Sequence, residues 1–285
     1  MFNKKKYVNN PFPKFKIPKN DKPRPQFIRY AMQKAMNNDV ARGEIYYVIQ
    51  PKNIKTGLTI PRRRRLNEHR ACALRAMVLA MLYHFNLTSN LVYASVEQLS
   101  DECGLSTMSK SGNKSISRAS RLITEFMEPM GFIKSEKKWD NVLGNYMPKI
   151  ITLTPLFFLL FDISLNNLMQ AKKQQLEWIN KELKKQGLKT TTEKQIIMNI
   201  KSTRMKKISE FRQSKHKFYI RQKKAKKIIS NNENIAKQNI LRTLVKNFTL
   251  KELQNMGQNG LKKRVNIEYY YLKKIATSTY INNIK

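Results

Sequence analysis

Four residues between positions 114 and 121 carry hydrogen-bond donors that suit the edges of DNA bases. Lys114, Ser117, Arg118 and Arg121 fall on one face if the segment is helical. Arginine and lysine donate to guanine in the major groove, and serine bonds to either type of base. The segment therefore predicts a recognition helix that begins near Lys114 or Ser115, with an ordinary solvated face as the alternative. The apolar residues expected to face inward are Ile116, Ala119, Ile123, Phe126 and Met130.

Two further groups of cations could contact the DNA backbone. Four consecutive arginines without a nearby acid favour phosphate clamping or minor-groove insertion over a solvated charge run. Two lysines lie in the loop of a predicted hairpin, beside Trp139, which is expected to pack on its own domain. The residues of these two groups are Arg62, Arg63, Arg64 and Arg65, and Lys137 and Lys138.

Residues that could catalyse a reaction are scattered. The histidines His69, His84 and His216 are far apart in sequence and form no His-x-His pair, so a nicking site is not supported. His69 and Cys72 have a spacing compatible with metal, but no second pair completes a zinc site. The run Tyr269–Tyr271 would point in different directions on a helix, which favours packing over a nucleophile. We expect no catalytic residue, no metal, no cofactor, no P-loop and no enzyme activity.

The elements around the predicted recognition helix have a recognisable order. Apolar residues at helical spacing predict one helix from about Leu66 to Phe85, followed by a short strand at Leu91–Ser95. The stretch "VEQLSDECGLS" then predicts a helix capped by Ser95 and ended by Gly104. A polar turn, the second helix and a hairpin follow, with strands predicted at 132–135 and 149–153. This order is that of a winged-helix domain with the hairpin as its wing.

Two segments before this region also have predictable structure. "QFIRYAMQKAM" places Ile28, Met32 and Met36 on one face of a short helix. "GEIYYVIQP" is rich in Ile, Tyr and Val and predicts a strand. The run "PLFFLL" is too short to span a membrane and is expected in the core or at a partner contact.

The composition indicates a polyanion partner. The 285 residues include 56 Lys plus Arg against 19 Asp plus Glu, a net charge of +37.

We expect an extended Pro- and Lys-rich arm at 1–25, a winged-helix DNA-binding domain at 26–162 and a basic helical domain at 163–285. The last could be a second DNA-binding module or a partly disordered tail. The fold class is thus mainly α with small β-hairpins. Two cysteines and no apolar leader lead us to expect a cytoplasmic protein in a reducing cytosol.

Several ordered strings resemble one known family. "YHFNLTSNLVYAS", "DECGLST", "GNKSISRASRLI", "GFI" and "YMPKIITLTPLFF" are similar to the replication initiator (RepA) of IncFII-type plasmids. The resemblance is densest from Pro61 to Asp162 and continues to "NPFP" near the start and "YLKKIAT" near the close. The family's arginine-rich tail is lysine-rich here, so charge is kept while the bidentate geometry of arginine is lost.

The resemblance implies a protein that binds the replication origin of its plasmid as double-stranded DNA. It implies opening of an AT-rich segment and recruitment of host replication proteins, including the replicative helicase, with no membrane partner. Self-association on DNA stays open, and so do a winged-helix transcriptional repressor and a general basic RNA-binding protein. The initiator requires both halves of the chain, whereas a repressor would not need residues 163–285.

Overall fold

The computed structural model describes residues 9–18, 23–61, 64–230 and 232–278. Across these residues the chain is mainly helical with small antiparallel sheets, as the sequence predicted. It forms two compact units, one of residues 1–139 and 146–203 and one of residues 140–145 and 204–285. The domain boundaries given above remain predictions.

Helices and short strands make up the first part of the chain, and long helices follow it. In the part of the chain up to residue 159, they are α1 (Gln26–Asn37), α2 (Ile45–Val48), α3 (Glu68–Tyr83), β1 (Leu91–Val92), α4 (Val96–Glu102), β2 (Thr107–Met108), β3 (Lys114–Ser115), α5 (Ser117–Leu122), β4 (Ile133–Glu136), β5 (Trp139–Asp140), β6 (Asn145–Tyr146), β7 (Ile150–Leu153) and α6 (Pro155–Leu159). The long helices after it are α7 (Leu165–Lys185), α8 (Glu193–Ile229), α9 (Glu233–Asn247) and α10 (Leu250–Thr277).

Helix α3 lies at the centre of the first unit and confirms the helix predicted there. Most of its large apolar residues are buried, with Leu79 partly buried, and alanines on its other sides are buried as well. Small side chains let neighbouring backbones approach closely, so α1, α4 and α5 all pack against α3. The side chain of Asn67 accepts from Arg70 N and caps the first turn.

Helix α4 has the ends that the sequence predicted. The Ser95 hydroxyl accepts from Gln98 N at 3.1 Å, and Gly104 takes a positive φ of 66° after the last turn. Leu99 and Cys103 are buried, and burial raises the pKa of the Cys103 thiol to about 12. Cys103 is therefore an inert core residue at neutral pH.

Helix α5 continues as a π-helical turn, Ile123–Met127, and a three-stranded antiparallel sheet follows. Strand β7 is central, with Ile133 of β4 opposite Leu153, and Leu91 of β1 opposite Thr152. The chain between β4 and β7 carries the small two-stranded sheet β5–β6. The strands predicted at Leu91–Ser95, 132–135 and 149–153 are thus present with slightly different bounds, and a β2–β3 hairpin lies between α4 and α5 where the sequence predicted a polar turn.

The strand predicted from "GEIYYVIQP" is wrong, because four of its residues form helix α2. Tertiary packing overrides the β propensity of this run. The Tyr46 hydroxyl donates to Val40 O at 2.5 Å, and its ring packs 5.9 Å from Phe126 and 5.8 Å from Phe132.

The packed face of α1 also differs from the predicted one. Ile28 is buried as expected, but the other buried residues are Ala31 and Ala35, while Met36 is 62% exposed. The helix turns its small residues toward α3, because alanines allow a closer approach than methionines do.

The second unit contains a smaller core between α9 and α10. Ala236 and Ile240 of α9 are buried with Val265 and Tyr269 of α10. Thr249 and Glu252 form a capping box at the start of α10. Gly257 interrupts this helix with a φ of 57°.

Candidate nucleic-acid interface

A cleft of about 340 Å³ opens in the first unit beside the start of α5. Its walls combine three guanidinium groups with three hydroxyl groups and a few apolar side chains. Guanidinium forks and hydroxyls are the groups that bind phosphate oxygens and base edges. The lining residues are Arg70, Ala73, Leu105, Thr107, Ser115, Ser117, Arg118, Arg121 and Leu122. The structure thus brings together three of the residues predicted from the sequence, Ser117, Arg118 and Arg121.

Arg121 is the most accessible cation of the cleft. Its side chain is 71% exposed, and its Nε lies 4.0 Å from Glu125 Oε1 one turn further along the chain. Arg70 also forms an ion pair with Glu125. One acid therefore orients two arginines, and exposed ion pairs of this kind are weak enough to rearrange around a ligand.

Arg118 is held by the protein. Its Nη1 donates to Asn10 O at 2.5 Å and its Nη2 donates to His69 O at 3.0 Å. Burial lowers the pKa of Arg118, although an arginine remains cationic at neutral pH. Arg118 thus ties α5 to the first turn of α3 and to the N-terminal segment.

The N-terminal segment 9–18 packs against the same region as an extended strap. Asn10 Nδ2 donates to Gly104 O at 3.0 Å, so Asn10 bonds both the turn after α4 and Arg118 of α5. Lys16 N donates to Glu102 O at 2.9 Å, and the Phe15 ring lies 5.3 Å from Tyr83. The strap therefore fixes the turn that separates α4 from α5.

Lys114 lies on strand β3 rather than on the recognition helix, because α5 begins at Ser117. The polar stretch before it folds into a β2–β3 hairpin that turns at Gly112, where φ is 77°. Lys114 Nζ lies 2.5 Å from Asp101 Oδ2 and 2.9 Å from Glu97 Oε1. These bonds raise the pKa of Lys114, and its charge is balanced within the protein.

Four other predicted cations are described by the structure and lie outside the cleft lining: Arg64, Arg65, Lys137 and Lys138. Arg64 and Arg65 are exposed ahead of α3, and the Arg65 guanidinium carbon is 5.4 Å from the centre of the Tyr47 ring. Arg62 and Arg63 lie outside the described residues. Lys137 and Lys138 are exposed between β4 and β5.

Trp139, beside these lysines, packs edge-on against Tyr146 with ring centres 4.9 Å apart. This contact confirms that the tryptophan packs on its own hairpin.

Sequence reasoning missed four polar contributors to this surface. Arg70, Thr107 and Ser115 line the cleft from separate elements, and Asn10 of the strap bonds Arg118 in its wall. Arg70 could have been predicted from the sequence, because it is a cation in the first turn of α3 and does not belong to the apolar stripe of that helix. Asn10 could not have been predicted, because its partners are 94 and 108 residues away in sequence.

Within the described ranges, no group of three His, Cys, Asp or Glu side chains is placed to hold a metal ion. His84 Nε2 instead lies 2.7 Å from Glu102 Oε2 in a single pair. No helix in the part of the chain that the structure describes is long and apolar enough to cross a membrane.

Comparisons with known proteins agree on one family. The model of the IncFII RepA protein family matches residues 3–277. A "Probable replication-associated protein repA1" of Buchnera aphidicola subsp. Acyrthosiphon pisum is 61% identical, covering 99% of this chain and 100% of that protein. A protein of the same printed name from Buchnera aphidicola subsp. Schizaphis graminum is 62% identical and covers the same shares of both chains.

A more distant relative comes from Escherichia coli. A "Replication initiation protein" of Escherichia coli is 36% identical over 129 residues, which is 45% of each chain. No solved structure shows a significant match to this chain. Both the family model and the near full-length relatives place the chain in the IncFII RepA protein family.

Proposed function

We propose that the protein is a non-enzymatic replication initiator that binds the origin of its plasmid in a sequence-specific way. Membership of the IncFII RepA protein family supports a role in plasmid replication. In this proposal α4 and α5 form the reading module of a winged helix and the β4–β7 hairpin is its wing. Binding promotes opening of the duplex and recruits the host replicative helicase.

The observation that carries the proposal is the cleft at the start of α5. Arg121 is presented outward there, while Arg118 is bonded inward and holds the helix that presents it. A recognition element needs this division, because a side chain reads a base only if its backbone is fixed in register. Around Arg121, the Arg70 guanidinium and the hydroxyls of Thr107 and Ser115 supply contacts to the phosphate backbone of the DNA.

Charge supports the same function but does not explain selectivity. A net charge of +37 attracts any polyanion and gives strong binding, which weakens in added salt because the release of counterions from DNA then gains less entropy. Selection of one origin among other sites requires contacts to base edges or a preference for deformable DNA.

A competition measurement tests the proposal. The full chain is bound to labelled duplex from the region downstream of its own gene at ~150 mM salt, where bulk phosphate attraction is screened. Unlabelled origin duplex should displace the label at a concentration at least a hundredfold lower than shuffled duplex of equal length does. If shuffled duplex competes as well as origin duplex does, the protein does not recognise a specific sequence. An unlabelled RNA is included as a further competitor, and stronger competition by this RNA would favour the RNA-binding alternative.

A further inference from the structure

The three consecutive tyrosines near the end of the chain have different environments. Tyr269 is buried in the small core of the second unit, where the Lys237 ammonium lies 5.4 Å from its ring centre. Tyr270 is 62% exposed and Tyr271 is 55% exposed. A buried tyrosine needs no further explanation, but two neighbouring exposed tyrosines on an ordered helix do.

The exposed tyrosines belong to a continuous stripe on α10. Successive residues of a helix are ~100° apart, so residues 263, 267, 270, 271 and 274 share one face, which is opposite the buried Val265 and Tyr269. Ile267 on this face is 59% exposed. Outward faces of helices are normally polar, whereas this one carries three large apolar side chains. We call residues Lys263, Ile267, Tyr270, Tyr271 and Lys274 the tyrosine stripe.

Cations flank the tyrosine stripe at both ends. Lys263 and Lys274 are exposed and are separated by eleven residues, about 16 Å along the helix axis. Residues 261–278 contain five basic residues and a single acid, Glu268, which is only partly exposed. The stripe is therefore complementary to a ligand that has flat apolar surfaces between negative charges.

We propose that the tyrosine stripe is a binding site for single-stranded nucleic acid. Unpaired bases stack on the exposed tyrosine rings, and Lys263 and Lys274 contact the phosphates on either side. A duplex does not fit this chemistry, because the faces of its bases are covered by their neighbours. An acidic protein or a second copy of this chain fits less well, since the second copy would bring the same lysines against each other.

This site goes beyond the proposed origin recognition, which uses the cleft in the first unit. It would let the second unit hold a strand that has been separated from its partner. Capture of an unpaired strand stabilises an opened duplex by mass action, without any chemical step by the protein.

The test uses the full chain and a fluorescein-labelled oligothymidine of about 20 nucleotides, long enough for one site. Binding is followed by fluorescence anisotropy at ~150 mM salt. The double variant Tyr270→Ala/Tyr271→Ala should raise Kd at least tenfold, which equals 1.4 kcal/mol. Tyr270→Phe/Tyr271→Phe keeps the rings and should bind as the wild type does. Tyr30→Ala removes an exposed tyrosine from α1 and is the matched control.

Binding of origin duplex is measured in parallel and should be unchanged in all three variants. If the wild type binds origin duplex and shuffled duplex equally well, the proposed function is contradicted and the tyrosine stripe is not. Oligothymidine binding that is the same in the alanine double variant and the wild type would overturn the site. A change in self-association with unchanged oligothymidine binding would also overturn it and would make the stripe a contact between copies.

A second pair of substitutions keeps the site testable if the alanine double variant unfolds. Lys263→Gln/Lys274→Gln changes only exposed side chains and should reduce the salt dependence of oligothymidine binding, with a slope smaller by about 1.4 for two phosphates on a single strand. An unchanged slope in this variant would overturn the site.

Discussion

Arg118 and Arg121 show how two identical residues one helical turn apart take different roles. Arg118 has both terminal nitrogens bonded to backbone carbonyls, whereas Arg121 is exposed with one acid 4.0 Å away. Desolvation and existing bonds make Arg118 expensive to redirect toward DNA. At the level of residues, we therefore assign positioning to Arg118 and contact with DNA to Arg121.

Replacement of Arg121 by alanine should reduce discrimination between origin and shuffled duplex by ~1–3 kcal/mol if the residue reads a base. Competition binding measures this difference. Arg29→Ala removes the same charge from an exposed position of α1 and serves as the control. If only the salt slope falls and discrimination is kept, Arg121 contacts phosphate instead.

Gly104 and Asn10 should be coupled energetically. A Cβ at position 104 would lie 2.8 Å from Asn10 Nδ2, and the positive φ of 66° adds a cost of ~1–2 kcal/mol for alanine. Gly104→Ala should thus destabilise the protein, and by less when Asn10→Ala is already present. Urea unfolding of the two single variants and the double variant measures the coupling. Strictly additive costs would contradict the contact between strap and turn.

At the scale of elements, a charge on the buried face of helix α4 should destabilise the fold of the first unit. Leu99 is fully buried, so Leu99→Asp places an unpaired carboxylate in the core and should abolish cooperative unfolding of the first unit. Gln98→Asp, on the exposed face of the same helix, should unfold cooperatively near the wild-type temperature. A Leu99→Asp protein with wild-type melting, followed by circular dichroism, would refute the burial of α4.

The ends of α1 and α3 are joined by an ion-pair network. Arg75 bonds Asp39 at 2.7 Å and Glu68 at 2.8 Å, and it lowers the pKa of both acids, that of Glu68 to about 2. Acids with a depressed pKa stabilise the fold above their unfolded pKa near 4 and lose that effect as pH falls through the folded value.

Arg75→Gln should therefore melt slightly below the wild type at pH 7, and the two proteins should converge as pH falls from about 4 to 2. The difference at pH 7 should be no more than a few degrees, because these groups are well exposed. Melting curves across this pH range measure it. A gap between the proteins that stays constant down to pH 2 would show that Arg75 acts through packing alone.

The sequence predicted the long, strongly periodic elements and failed where tertiary contacts decide. Helix α3 and the caps of α4 follow from local patterns, because periodicity and capping are local properties. Helix α2 does not, since the packing of Tyr46 on Phe126 and Phe132 overrides its β-rich composition. The cleft shows the same limit: three of its residues lie on the predicted helix face, but Arg70 and Thr107 come from elements whose packing no local pattern encodes.

For the whole molecule, charge and architecture act at different distances. A net charge of +37 brings the protein to DNA over many ångströms, but salt screens that attraction beyond ~8–10 Å. In the proposed function, selection of the origin then depends on short-range contacts made by the cleft. The tyrosine stripe of the second unit offers a different chemistry on the same chain, so duplex and single-stranded binding can be separated by substitution.

Quantitative footprinting of the purified chain on DNA downstream of its own gene, at ~150 mM salt, tests origin recognition most directly. An initiator should protect several helical turns of the DNA and produce hypersensitive positions beside an AT-rich tract. These positions arise because bending exposes the DNA backbone where the duplex deforms most easily. A short protected patch confined to a promoter would indicate a repressor. Uniform protection that fades with salt would contradict sequence reading by α5.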